Sequence, residues 1–160
     1  MVVEEQAPDI PVTILTGFLG AGKTTLLNRI LNENHNYKIA IIENEFGKEN
    51  IDTDLLVQSD REQIVNMNNG CVCCTIRGDL SRVLTDLRIR RQKGEIAFDY
   101  VVIETSGVAN PGPVAQTFFM DDAVATFFRL DGVVTVVDCK HGGETLDTEA
   151  AARDQVGFAD

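Results

Sequence analysis

The run Gly17-Phe18-Leu19-Gly20-Ala21-Gly22-Lys23-Thr24-Thr25 constrains this chain more than any other stretch. A short apolar segment, Val12 to Thr16, leads into it, and Leu26, Leu27, Ile30 and Leu31 follow at helical spacing until the turn-rich Asn32-Glu33-Asn34-His35-Asn36. Lys38 to Ile42 then reads as a second strand. Together these pieces make a strand–loop–helix–strand unit, the building block of a parallel sheet. Within it, Gly17-x-x-x-x-Gly22-Lys23-Thr24 is a complete phosphate-loop pattern, after a strand and before a helix as its mechanism requires. Such a loop wraps its backbone N–H groups round a phosphate, and the helix behind it points its positive end at the same anion. Gly17, Gly20, Ala21, Gly22, Lys23, Thr24 and Thr25 are therefore the expected nucleotide-binding residues, with Lys23 facing the β- and γ-phosphates and the Thr24 hydroxyl holding Mg²⁺.

A phosphate loop needs an acidic partner on a neighbouring strand. Tyr100 to Ile103 reads as a buried strand ending in Glu104-Thr105-Ser106-Gly107, so Glu104 is expected to hold Mg²⁺ through water or to orient an attacking water. The glycine three positions on would let the loop move when a γ-phosphate is present. Gly132 to Val137 reads as a further strand covered on both faces, ending at Asp138, which is either a second candidate for the acidic partner or a carboxylate capping a helix or turn. Helices are expected from Ile76 to Leu87, closed by the cations Arg88, Arg90, Arg91 and Lys93 as a solvated terminus, over Pro113 to Phe119 and Ala123 to Phe128, and over 144–156. Gln63 to Met67 reads as a short strand, residues 1–9 as a loose leader, and 43–60 as an acidic excursion with one helical turn at Leu55 to Val57. The expected architecture is a three-layer α/β sandwich round a mainly parallel sheet, one domain over residues 10–160.

Acidic residues number 25 against 14 basic, a net charge of −11. That balance argues against a nucleic-acid groove, which needs clustered Lys and Arg. No apolar run approaches the roughly 18 residues of a membrane span, and Met1-Val2-Val3-Glu4-Glu5 lacks the basic-then-apolar profile of a signal peptide. A cytoplasmic protein is expected, without nucleic-acid or membrane partners. Three of the four cysteines crowd into Gly70-Cys71-Val72-Cys73-Cys74-Thr75, too tight to staple distant elements and too compact for a two-knuckle zinc finger. As one loop, Cys71, Cys73 and Cys74 can offer two or three thiolates to a soft or borderline cation, with a carboxylate or imidazole from elsewhere completing a tetrahedron. Structural cysteines and a redox dithiol are the alternative readings. Glu43 ends the second strand on the functional edge of the sheet. Cys139 and His141 follow a strand end on that edge and are further candidate ligands. His35 reads as a solvated loop histidine.

GFLGAGKTT (Gly17 to Thr25), ENEFG (Glu43 to Gly47), GCVCCT (Gly70 to Thr75) and ETSG (Glu104 to Gly107) occur here in that order. In this the chain resembles the CobW-like family of P-loop GTPases, relatives of the metallochaperones of urease and hydrogenase maturation. The resemblance implies a SIMIBI-type fold and hydrolysis of GTP to GDP, coupled to binding a transition metal (zinc or cobalt) and delivering it to a metal-requiring client. It also admits a nucleotide-dependent homodimer. Lys23, Thr24 and Thr25 would contact phosphates and Mg²⁺, Glu104 would be the Walker B glutamate, and Cys71, Cys73, Cys74 and Glu43 the transition-metal ligands. Lys48 departs from the acidic residue that relatives often carry there. An incomplete GTPase domain is expected, without the guanine-reading segment and the family's C-terminal domain. Two alternatives stand beside this: a nucleotide-responsive metal storage or sensing module, and a P-loop ATPase with a structural zinc.

Overall fold

The computed structural model describes residues 10–44, 63–66, 72–76 and 79–160. The leader, the acidic excursion with its helical turn, Lys48 and Cys71 lie outside them. Six strands form one sheet: β1 (Ile10–Thr16), β2 (Ile39–Asn44), β3 (Gln63–Asn66), β4 (Val72–Ile76), β5 (Tyr100–Thr105) and β6 (Phe128–Thr135), in the order β3-β4-β2-β5-β1-β6. The neighbours from β4 to β6 run parallel, and β3 is antiparallel to β4. The expected three-layer architecture is thus present. One face buries Ile10, Val12, Ile14, Ile42 and Ile103 against α2 (Leu80–Gln92), α3 (Gly112–Met120) and α4 (Asp122–Phe127). The other buries Leu15, Ile39, Ile41 and Val102 beneath α1 (Lys23–Asn32), through Leu27.

Four expectations need correction. The cysteine cluster is not one loop: Cys73 and Cys74 lie inside β4. The β-branched Val72, Thr75 and Ile76 around them suit a strand, and β2 and β3 supply ladders on both sides. Ile76 therefore ends a strand instead of opening a helix. α2 starts at Leu80, after Asp79, whose side chain accepts from the Ser81 N–H as an N-cap. The strand expected at Gly132 to Val137 starts at Phe128 and ends at Thr135, and its burial is interrupted instead of continuous, with Arg129, Asp131 and Val134 exposed. Finally, 144–156 is two helices, α5 (Gly142–Thr148) and α6 (Ala150–Gly157), broken at the extended Glu149. Arg153 donates to the carbonyls of Leu146 and Asp147, satisfying the end of α5.

The basic end of α2 is only partly the solvated terminus expected. Arg91 and Lys93 are exposed, but the Arg88 guanidinium lies 3.9 Å from the centroid of the Phe127 ring of α4. Arg91 donates to the Phe98 carbonyl at 3.0 Å, and Arg90 pairs with Asp86. Among the described residues no helix is long and apolar enough to cross a membrane.

Candidate functional site

The turn from β1 into α1 is built by sterics. At Gly17 a Cβ would come within 2.4 Å of the Val136 carbonyl, and φ is +149°. Only glycine lets the loop leave the sheet so close to the segment following β6. Gly22 caps α1 in the left-handed region at φ 107°, with no side chain closing the cap. The helix's first N–H groups are thereby left facing the loop, where an anion is favoured. No acidic residue stands in that first turn.

Lys23 opens α1 and folds back into the loop. It is buried, and its Nζ donates to the carbonyls of Gly17 at 2.5 Å and Phe18 at 3.3 Å. Burial holds its ammonium below the ordinary value of 10.5, and the Glu104 carboxylate partly counteracts this. Glu104 ends β5, one strand over, in register with Leu15 of β1 and Glu43 of β2. Its carboxyl is raised above the ordinary 4.5, by burial first and then by the Glu43 carboxylate, with Lys23 pulling it back. The two carboxylates repel across adjacent strands on the edge where the glycine loop lies. A divalent cation would relieve that repulsion, although among the described residues no three His, Cys, Asp or Glu side chains come together to hold one. Thr24 and Thr25 are exposed at the start of α1, where a hydroxyl can reach a cation bound to phosphate.

Glu43 is exposed and in register with Thr75 of β4 on its other side. Cys73 and Cys74 are in register with Ile41 and Ile42, residues that belong to the clusters on opposite faces of the sheet. The structure therefore brings β4 and Glu43 onto adjacent strands. It does not bring in Cys139 or His141, which follow β6. Both lie beyond the end of β6, three strand steps from β2 in the sheet. His141 instead pairs through Nδ1 with Asp138 Oδ2 at 3.1 Å, and hydrogen bonds from the His141 backbone and ring hold the Asp138 carboxyl below its usual range. Cys139 is a free, exposed thiol. His35 is less free than a solvated loop residue: Nε2 meets the Ile30 carbonyl at 2.9 Å and Nδ1 accepts from the Tyr37 N–H at 3.0 Å.

Two contacts were not foreseen, one of them at Gly107, which the sequence marked only as a point of movement. A Cβ on Gly107 would lie 2.5 Å from Leu19 Cδ2 and 2.9 Å from the Leu19 nitrogen, so the turn after Glu104 packs directly on the glycine loop. And Gln155 of α6, one polar residue in an amphipathic pattern, is wholly buried against that turn.

The nucleotide-binding domain of the CobW/HypB/UreG family matches residues 11–160. The zinc chaperone YjiA of Escherichia coli is 50% identical over 151 residues, 94% of this chain and 47% of YjiA. The zinc-regulated GTPase metalloprotein activator 1 of Schizosaccharomyces pombe is 46% identical over 154 residues, 93% of this chain and 36% of that protein. The crystal structure of Zn(II)-bound YjiA GTPase superposes with a TM-score of 0.80 at 50% identity, over 96% of this chain and 48% of that one. A Zn(II)-bound YjiA variant in which one glutamate and two consecutive cysteines are replaced by alanine gives a TM-score of 0.80 at 48% identity, over the same shares of each chain. The chain spans about half the length of YjiA.

Proposed function

We propose a function on the premise that this chain belongs to the CobW/HypB/UreG family, whose nucleotide-binding domain it matches over residues 11–160: it binds GTP, hydrolyses it, and couples hydrolysis to holding and delivering zinc or cobalt. The observation that carries this is the pairing of Lys23, drawn into a glycine loop at a helix N-terminus, with Glu104 at the end of the adjacent strand. When GTP enters, the Lys23 ammonium exchanges the Gly17 and Phe18 carbonyls for β- and γ-phosphate oxygens. The loop N–H groups of Gly20 and Gly22, that of Ala21 once it leaves the Phe18 carbonyl, and the first turn of α1 would surround the same anion. Thr24 would hold Mg²⁺, which neutralises charge on the phosphates. Glu104 orients a water for in-line attack on the γ-phosphorus. The new P–O bond forms as the bond to the β-phosphate oxygen breaks, giving GDP and phosphate.

The cargo site in this reading is Glu43 with Cys71, Cys73 and Cys74. Support comes from the register that sets β4 beside β2, and from the YjiA triple variant, which replaces a glutamate and two consecutive cysteines, the residue types found here at Glu43, Cys73 and Cys74. Guanine preference, the client protein and a nucleotide-dependent dimer rest on the family. The test is titration of Zn²⁺ and Co²⁺ into the full-length protein with GDP and with a non-hydrolysable GTP analogue. A coupling of ~1–3 kcal/mol would shift metal affinity roughly 5- to 150-fold between the two nucleotide states. Equal affinities would falsify the coupled mechanism.

A further inference from the structure

We propose that Gln155 is a positioning residue for nucleotide hydrolysis, pinning from α6 the turn that carries Glu104 toward the phosphate loop; this rests on the hydrolysis reading above. The Gln155 side chain has no exposed surface. Its Nε2 donates to the Gly107 carbonyl at 3.1 Å and to the Ala109 carbonyl at 3.2 Å, using both hydrogens of the amide on one turn. Its backbone carbonyl accepts from Thr135 Oγ1 at 2.7 Å, fixing this turn of α6 to the end of β6. The clamped turn is tight, with the Ala109 N–H donating to the Ser106 carbonyl at 3.1 Å, and it begins directly after Glu104 and Thr105. On its other side Gly107 rests against Leu19. One residue outside the nucleotide site therefore sets how the Glu104 segment lies on the phosphate loop.

The remaining atom of the same amide shows that packing is not its purpose. Gln155 Oε1 is buried and has no hydrogen-bond partner among the described residues. A buried acceptor without a partner is costly, and an apolar side chain of similar length would fill the space without that cost. What methionine cannot supply is the pair of donors to Gly107 and Ala109. Without them the two carbonyls lose their partners and the turn gains freedom. Glu104 then spends less time in line with the attacked phosphorus, and small misplacements of reacting groups carry large rate penalties. The glycine loop itself receives no hydrogen bond from Gln155, so nucleotide affinity should not follow.

The experiment uses the full-length protein and the variants Gln155→Met, Gln155→Asn and Glu104→Gln. It measures single-turnover GTP hydrolysis, affinity for a fluorescent GDP, and amide hydrogen exchange. Gln155→Met is expected to slow hydrolysis roughly 10-fold, leave GDP affinity within about twofold, and speed exchange at Gly107 to Ala109 without speeding it in β1 or α1. Gln155→Asn keeps an amide one methylene shorter and should fall between this and wild type, which preserves the test if the methionine variant does not fold. Wild-type hydrolysis in both Gln155 variants beside an inactive Glu104→Gln overturns the positioning role and leaves the hydrolysis reading intact. A rate loss matched by equal loss of GDP affinity and faster exchange throughout the domain also overturns it, since that is the signature of a merely structural residue. Wild-type hydrolysis by Glu104→Gln overturns both.

Discussion

The two halves of the functional sheet edge are built by different means. On the β1–α1 side everything lies within nine consecutive residues, Gly17 to Thr25, and the geometry follows from backbone sterics: Gly17 against the Val136 carbonyl, Gly22 in the left-handed region, an uncapped helix start. On the β2–β4 side, Glu43 and the Cys73–Cys74 pair come from segments about thirty residues apart in the chain, and strand pairing alone puts them on neighbouring strands, with Glu43 opposite Thr75. A site made by local backbone can exist before its ligand arrives. A site made by side chains on separate strands would depend on the sheet holding its register, so the proposed cargo half would be the more readily remodelled of the two.

The contrast can be broken most sharply at Lys23. Charge-assisted hydrogen bonds contribute about 1.5–3 kcal/mol each, so Lys23→Ala should weaken GDP and GTP binding by roughly 100-fold while thermal unfolding stays cooperative. Equilibrium binding of a fluorescent nucleotide tests this, and near-wild-type affinity would remove Lys23 from the phosphate site. Glu104→Gln comes next. Nucleotide affinity should be kept and hydrolysis should drop on the order of 100-fold, within the range for a lost water-positioning base. Full hydrolytic activity in that variant would leave the carboxylate without a role in the reaction.

Cys73→Ala probes the other half. Even groups that only support a metal ligand are worth about 10–100-fold in affinity, so zinc binding should weaken at least 10-fold while metal-free GDP affinity stays within about twofold. A matching fall in GDP affinity would show that the two halves are not separable in the way the fold suggests.

The smallest effect is on stability against pH. Glu104 titrates higher in the fold than in the unfolded chain, so above 4.5, up to its raised value, the native state holds the extra proton and stability falls as pH rises. Lys23 titrates lower in the fold, so in the window below 10.5 the unfolded chain holds the extra proton and stability rises with pH. Thermal denaturation of nucleotide-free Glu104→Gln should lose the first slope. Cys73→Ala should keep it, and an unchanged slope in Glu104→Gln would mean that Glu104 does not produce it.

What could be read in the residues follows the same division. Phosphate loop, flanking strand and helix are encoded contiguously, so their order, and the place of Glu104 on the strand beside β1, were legible in the sequence. The cysteine segment misled because three thiols in four positions draw attention from Val72, Thr75 and Ile76, whose branched side chains favour a strand. The break at Glu149 was hidden for a related reason. Apolar residues on both sides keep near-helical spacing, and the interruption is stabilised by Arg153 reaching back to two carbonyls, a contact that periodicity does not encode. Gln155 was invisible because its importance lies in which carbonyls it meets, and those are more than forty positions away in sequence.

The stacking of Arg88 on Phe127 bears on how the outer helical layer responds to dissolved ions. α2 and α4 are joined there by a cation over an aromatic face at 3.9 Å, with the Arg88 Nε shielded from solvent. Mobile counterions screen exposed charge pairs over a Debye length of about 8–10 Å near physiological ionic strength, but they reach a half-buried cation packed on a ring less. The exposed pair Arg29–Glu33 should fade as salt rises, whereas the α2–α4 contact should persist. A chain with a net charge of −11 has its long-range repulsion damped by the same salt, so its helical layer is secured by a contact that needs no dilute buffer to survive.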